Sequence, residues 1–67
     1  MEKNSRIYIA GHRGLVGSSL YRRLDADNYL NLIVRNHSEL DLTRQKDVED
    51  FFQLEKPDYV FLAAAKV

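Results

Sequence analysis

The chain has 67 residues, 45% of them apolar and 30% charged, with ten acidic and ten basic side chains that cancel at neutral pH. This is the composition of one small globular domain rather than of a disordered or fibrous chain, and the absence of cysteine excludes disulfides and thiolate metal sites. The opening Met1-Glu2-Lys3-Asn4-Ser5 lacks the apolar core of a signal peptide. The longest apolar run, Tyr59 to Ala65, falls far below the roughly 20 residues of a membrane span, so a cytoplasmic protein with no membrane partner is expected.

Ile7 to Ala10 is a short, wholly apolar run, which predicts a strand buried on both faces of a parallel sheet. Gly11, Gly14 and Gly17 follow at three-residue intervals. Glycines there allow a sharp turn and let an anion approach the backbone N–H groups at the positive end of the following helix. The spacing is Gly-x-x-Gly-x-x-Gly rather than the Gly-x-Gly-x-x-Gly of the common dinucleotide fingerprint. From about Gly14, Val16, Leu20 and Leu24 recur every four residues, with Leu15 and Tyr21 widening the stripe; this predicts an amphipathic helix ending near Asp25. Asp27-Asn28 reads as a turn and Leu30 to Val34 as a second strand. Asn36 to Leu42 reads as a loop, with Thr43 expected to cap a second helix. That helix has Val48, Phe51 and Phe52 on its apolar side and Leu54 at the margin, and Lys56-Pro57 ends it. Tyr59 to Ala63 reads as a third buried-type strand.

Strand, helix, strand, helix, strand with short connections predicts an α/β fold, a Rossmann-like βαβαβ half of a doubly wound parallel sheet with right-handed crossovers. If both crossovers progress in one direction, both helices share one face of the sheet. The other face is then bare and the first strand has an open edge, so the chain is expected to be a piece of a larger protein.

Charge is distributed unevenly: residues 1–23 carry a net +4 and residues 39–58 a net −4. The basic end coincides with the glycine turn, which suits a small anionic ligand, and no basic stripe interleaved with aromatics points to nucleic acid. His12 and His37 stand in no cluster of metal-ligand spacing and read as loop residues. Eighteen residues beyond Gly17, where NAD-specific domains place an acid for the ribose 2′-hydroxyl and NADP sites an arginine for the 2′-phosphate, stands Arg35. His37 follows it, and Arg13 can converge on the same phosphate, so NADP(H) is the expected cofactor; the other reading of Arg35 is a solvated surface charge. Asp41 can accept from an adenine amino group while Leu42 packs on the ring, and Asp41 is equally favourable as an acid near a helix N-terminus; the two readings are compatible. Ala63, Ala64 and Ala65 lie at the carboxyl end of the third strand, where small residues permit close approach of a cofactor or suit a tight strand end.

Three stretches closely resemble the GDP-L-fucose synthases, a family of extended short-chain dehydrogenase/reductases: Ile9-Ala10-Gly11-His12-Arg13-Gly14-Leu15-Val16-Gly17-Ser18, Glu39-Leu40-Asp41-Leu42, and Pro57-Asp58-Tyr59-Val60-Phe61-Leu62-Ala63-Ala64-Ala65-Lys66-Val67. The resemblance implies that residues 1–67 are the N-terminal part of an NADP-binding Rossmann domain. The enzyme it implies epimerises and reduces the nucleotide sugar GDP-4-keto-6-deoxymannose with NADPH, as a homodimer when full-length. Gly11 to Gly17 would then hold the pyrophosphate, Arg13 the 2′-phosphate, Asp41 and Leu42 the adenine, and Ala63 to Ala65 the inner cofactor. Many relatives carry a second arginine where this chain has His37; an imidazole is shorter and only partly charged near neutrality, which implies a weaker or more pH-dependent grip on the phosphate. The family reduces its substrate with a Ser, Tyr, Lys set in which lysine follows tyrosine by four residues. Residues His12, Asp25, Ile33 and Ala63 stand four beyond Tyr8, Tyr21, Tyr29 and Tyr59, and the family's epimerising cysteine is missing too. The chain alone is expected to be inactive. Other readings are a segment of a different nucleotide-sugar epimerase or dehydratase, and a non-catalytic nucleotide-binding module.

Overall fold

The computed structural model describes residues 1–63 and arranges them as β1 (Arg6–Ala10), α1 (Leu15–Ala26), β2 (Asn31–Ile33), α2 (Gln45–Glu55) and β3 (Tyr59–Leu62). Ile7, Tyr8, Ile9 and Ala10 of β1 are all buried. A strand apolar at every position needs cover on both faces and a neighbour on both edges, and β1 has all four. The sheet is parallel with order β2-β1-β3. Ile7 stands beside Leu32 on one side and Tyr59 on the other.

This order corrects the expectation that both helices share a face. After β2 the chain returns over β1 to its other edge, so α1 and α2 cover opposite faces. Leu24 of α1 packs with Ile7 and Ile9, joined by Leu20 and Tyr21. Phe51 of α2 packs with Tyr8, Ala10 and Ile33, joined by Val48 and Phe52, and the Tyr8 and Phe51 ring centroids are 4.6 Å apart. No sheet face is bare, and β1 is central rather than an edge. Within the sheet the apolar surface left open belongs to β3: the strand expected to be of buried type over Tyr59 to Ala63 ends at Leu62 and leaves Tyr59, Val60 and Leu62 exposed, because no described element covers that edge.

Local expectations fare differently. Asp27 closes α1 and Asn28 takes a left-handed conformation (φ 67°), which lets the Asn28 and Tyr29 amides return to the Asp25 and Leu24 carbonyls, both at 3.1 Å. β2 is shorter than Leu30 to Val34, because the Leu30 amide bonds the Lys3 carbonyl (3.0 Å) before strand pairing starts at Asn31. Leu15 and Val16 extend the helical stripe in sequence but are exposed, whereas Gly17 of the same turn is buried against Gly11. Lys56 ends α2 in the left-handed region (φ 47°, ψ 58°), not in the extended conformation that a following proline favours. Among the described residues no helix is long and apolar enough to cross a membrane.

Substitutions in the strands should separate centre from edge. Ile9→Ala removes a fully buried side chain and should cost about 2–4 kcal/mol. Val60→Ala, on the exposed strand, should cost under about 1.5 kcal/mol. Urea unfolding followed by circular dichroism compares the two, and equal losses would contradict a central β1.

Candidate functional site

The turn after β1 is built around two glycines with different jobs. Gly11 has φ 83°, a conformation that favours glycine, and its carbonyl accepts from the Gly14 amide at 3.1 Å. A Cβ on Gly17 would lie 2.0 Å from the Gly11 oxygen and 2.7 Å from its carbonyl carbon. Only glycine allows α1 to pass this close to the turn. A Cβ on Gly14 would meet the Gly11 oxygen at an ordinary 3.5 Å, so the protein's own packing does not require glycine there. Beyond that oxygen, no other described atom outside its chain neighbours and the helix backbone lies within 4 Å of the position such a Cβ would take.

Gly14 is also the N-cap of α1 and supplies no side-chain cap, and the first turn contains no acid. The first main-chain bond of the helix runs from the Ser18 amide to the Gly14 carbonyl (2.9 Å). The earlier amides, those of Leu15, Val16 and Gly17, have no acceptor within the helix. Their dipoles add to a positive end at the carboxyl edge of the sheet.

A groove of about 480 Å³ opens beside this turn. One wall is Gly11, His12, Arg13 and Gly14; the other is Arg35, His37, Asp41 and Leu42, and Tyr8 lies at its base. The structure thus gathers eight of the sequence-derived candidates around one cleft. Leu15, Val16 and Gly17 belong to the adjacent helix start rather than to the groove wall. Ala63 lies beyond the other side of β1, its amide bonded to the Ala10 carbonyl at 2.9 Å. Ala64 and Ala65 fall outside the described residues.

The far wall is held by bonds within residues 36–44. The Asn36 amide donates to Glu39 Oε1 (2.9 Å) and the Glu39 amide donates to Asn36 Oδ1 (2.9 Å), while Leu40 is buried with Tyr8 and Phe51. This reciprocal pair is the capping-box arrangement used on a turn, and Asn followed three residues later by Glu is a signal the sequence carried. Thr43 does not cap α2, whose N-cap is Arg44. Its amide and hydroxyl instead donate to Asp41 Oδ1, at 2.9 and 2.6 Å. A short acid two residues before Thr43 captures both donors locally, and Asn36, Leu40 and Thr43 join the groove lining unforeseen.

The charges at the groove differ in how far they are engaged. The two hydrogen bonds from Thr43, aided by His37 and Arg44, hold the Asp41 carboxyl below the usual value of 3.8. His37 is largely exposed, with Nε2 3.7 Å from Asp41 Oδ2. Burial pushes the Tyr8 phenol up, partly offset by Arg35, so the group at the base of the groove is a neutral hydroxyl at physiological pH. Arg35 pairs with Glu55 at 3.0 Å and lies over the Phe51 ring. Arg13 is exposed, and among the described residues it forms no ion pair. No group of His, Asp and Glu among the described residues has the arrangement of a metal site.

The sequence model of the NAD dependent epimerase/dehydratase family matches residues 7–67. GDP-L-fucose synthase 1 of Arabidopsis thaliana is 59% identical over 66 residues, covering 98% of this chain and 20% of the relative. GDP-L-fucose synthase of Escherichia coli is 48% identical over 62 residues, covering 92% of this chain and 19% of the relative. Among solved structures, MlghC, a GDP-mannoheptose C4 reductase from Campylobacter jejuni with NADP bound, superposes with a TM-score of 0.97 at 46% identity. It matches 100% of this chain and 21% of its own. The chain spans about a fifth of the length of the curated relatives it matches.

Two tests follow from this geometry. Gly17→Ala drives a methyl into the Gly11 carbonyl and should cost about 3 kcal/mol or more, whereas Gly14→Ala should cost under about 1 kcal/mol; thermal unfolding of both variants checks the contrast. Because the folded-state pKa of Asp41 is lowered, its contribution to stability is complete well above pH 3.8 and disappears as the pH falls through the folded value. Asp41→Asn should abolish the acid transition of the Thr43 amide resonance in a pH titration, which in the unaltered chain should have its midpoint below 3.8.

Proposed function

Because the chain belongs to the NAD dependent epimerase/dehydratase family, we propose that it is the NADP(H)-binding segment of a GDP-L-fucose synthase. Such an enzyme epimerises and reduces GDP-4-keto-6-deoxymannose. The observation that carries the cofactor reading is the open space at Gly14, in front of uncapped first-turn amides. This is a cradle that suits a pyrophosphate and that a side chain would fill. The relatives named as GDP-L-fucose synthases and the GDP-sugar reductase with NADP bound support the same reading.

On this reading the backbone of Gly11 to Gly17 binds the pyrophosphate, with the amides of Leu15 and Val16 as donors and His12 and Gly14 beside them. Arg13 takes the 2′-phosphate with Arg35, and His37 lies beside them. Leu42 packs on the adenine and Asp41 accepts from its amino group. Ala63, Ala64 and Ala65 leave room for the inner part of the cofactor. When bound, NADPH supplies the hydride for reduction of a 4-keto sugar. No tyrosine of the chain is followed four residues later by lysine, and the chain has no cysteine. The proton-transferring groups of the reaction therefore belong to another part of the full-length protein, and residues 1–67 are an NADP-binding unit that is inactive alone. We place that protein in the cytoplasm as a homodimer.

Arg13→Ala in the full-length enzyme should raise KM for NADPH by about ten- to a hundredfold, since a charge-assisted contact contributes roughly 1.5–3 kcal/mol. KM for NADH should change by less than about twofold, because NADH lacks the phosphate. Equal losses for both cofactors would remove Arg13 from the phosphate site.

A further inference from the structure

We infer that Glu55 is a latch on Arg35, a specificity-determining residue that weakens the preference of the groove for a 2′-phosphorylated adenosine. The inference rests on the NADP(H) reading and deepens it.

Glu55 is the last residue of α2, and its side chain is 19% exposed. Its carboxylate is shared: Oε1 accepts from Arg6 Nη2 at 2.5 Å and Oε2 accepts from Arg35 Nη2 at 3.0 Å. Arg6 holds Glu55 a second time, its Nε donating to the Glu55 carbonyl at 2.6 Å. The position of this carboxylate follows from topology. α2 leads from the loop at the carboxyl edge of the sheet back to the start of β3, and Arg6 is the first residue of β1. The Asp58 amide, just before β3, bonds the Arg6 carbonyl at 2.7 Å. Glu55 therefore lies toward the amino edge, and the glycine turn lies at the carboxyl edge.

Arg35 starts from the groove side. It stands two residues beyond Ile33, which pairs with Tyr8, so its backbone leaves the sheet at the carboxyl edge, and Arg35 borders the groove. Its side chain then runs back over the Phe51 ring, with the guanidinium carbon 5.2 Å from the centroid, to reach Glu55. Nη1 donates to the Val34 carbonyl at 2.7 Å. Its guanidinium is thus engaged by Glu55 and by the Val34 carbonyl.

A 2′-phosphate at Arg13 and the Glu55 carboxylate thus compete for one guanidinium. Transfer of Arg35 to the phosphate breaks its bond to Glu55, yet it leaves no carboxylate without a partner, because Arg6 keeps both of its contacts with Glu55. Arg6 is the resident counter-ion and Arg35 the exchangeable one. The ordinary alternative, that Glu55 holds Arg35 ready for the phosphate, predicts the opposite sign on mutation.

The test uses the full-length protein with 2′-phospho-ADP-ribose and ADP-ribose as probes, which read binding without turnover, by isothermal titration calorimetry. Glu55→Gln should raise affinity for 2′-phospho-ADP-ribose about three- to tenfold and leave ADP-ribose within about twofold. In an Arg35→Ala background, Glu55→Gln should have no effect on either ligand. In the unaltered protein, the Arg35 Nε–H resonance should shift with 2′-phospho-ADP-ribose and not with ADP-ribose, while that of Arg6 stays, a readout independent of how any variant folds. A loss of preference in Glu55→Gln, an unchanged ratio, or an Arg35 resonance indifferent to the 2′-phosphate would overturn the latch. If the unaltered protein shows no preference for the 2′-phosphate, the cofactor reading itself falls and the latch falls with it.

Discussion

The rest of the structure depends on the approach of Gly17 to the carbonyl of Gly11, where a single methyl group would sit 2.0 Å from the oxygen. That approach lets α1 begin with only four residues between it and the end of β1. A wider turn would carry the helix start away from the sheet. The tight one holds the unbonded amides of the first turn directly over the carboxyl end of the central strand. Gly11 supplies the left-handed backbone and Gly17 supplies the clearance. With both needed for the turn itself, Gly14 is the glycine that the packing of the described residues does not require.

Placing β1 at the centre has a second consequence. The chain leaves β1 toward one side with α1 and returns past it with α2, so the connections diverge at the carboxyl end of β1. Among the described residues the space between the glycine turn and residues 36–43 remains open as a crevice; open α/β sheets bind ligands at such a reversal. The groove is thus a product of strand order as much as of the residues lining it. A sheet progressing in one direction, with both helices on one face, would have placed no crevice at this turn.

The elements were legible from the sequence because each rests on local pattern: the apolar run of β1, the glycine spacing, the Leu20 and Leu24 stripe, and the turn at Asp27 and Asn28. Strand order was not legible in the same way, since β2 could pair with β1 and still leave either edge for β3. The clue lay in β1 itself. Tyr8 and Ala10 alternate with Ile7 and Ile9, and burying both sets requires a helix on each face, which is incompatible with two right-handed crossovers that progress in one direction. The candidate site was legible as a set of residues, and eight of them line one groove. Its internal bonding was less so. Thr43 has the chemistry of a cap, but Asp41 stands closer and takes both of its donors. The link between Arg35 and Glu55 spans 20 residues and obeys no local spacing rule.

Neutral overall charge conceals a groove with a definite electrostatic sign. Three acids of residues 39–58 are engaged in ion pairs: Asp47 with Arg44, Asp50 with Lys46, and Glu55 with Arg6 and Arg35. Asp41 does border the groove, but it accepts both hydrogen bonds of Thr43 at one oxygen and faces His37 with the other. On the opposite wall stand Arg13 and the positive end of α1, with no acid in the first helical turn to offset them. An anion entering between these walls therefore meets attraction concentrated on the glycine side. The same arrangement makes Arg35 the variable part of the field: its charge counts toward the groove only to the degree that Glu55 does not hold it. Affinity for an anion thus depends on a fixed backbone contribution set by the turn and an adjustable side-chain contribution set at the other end of α2.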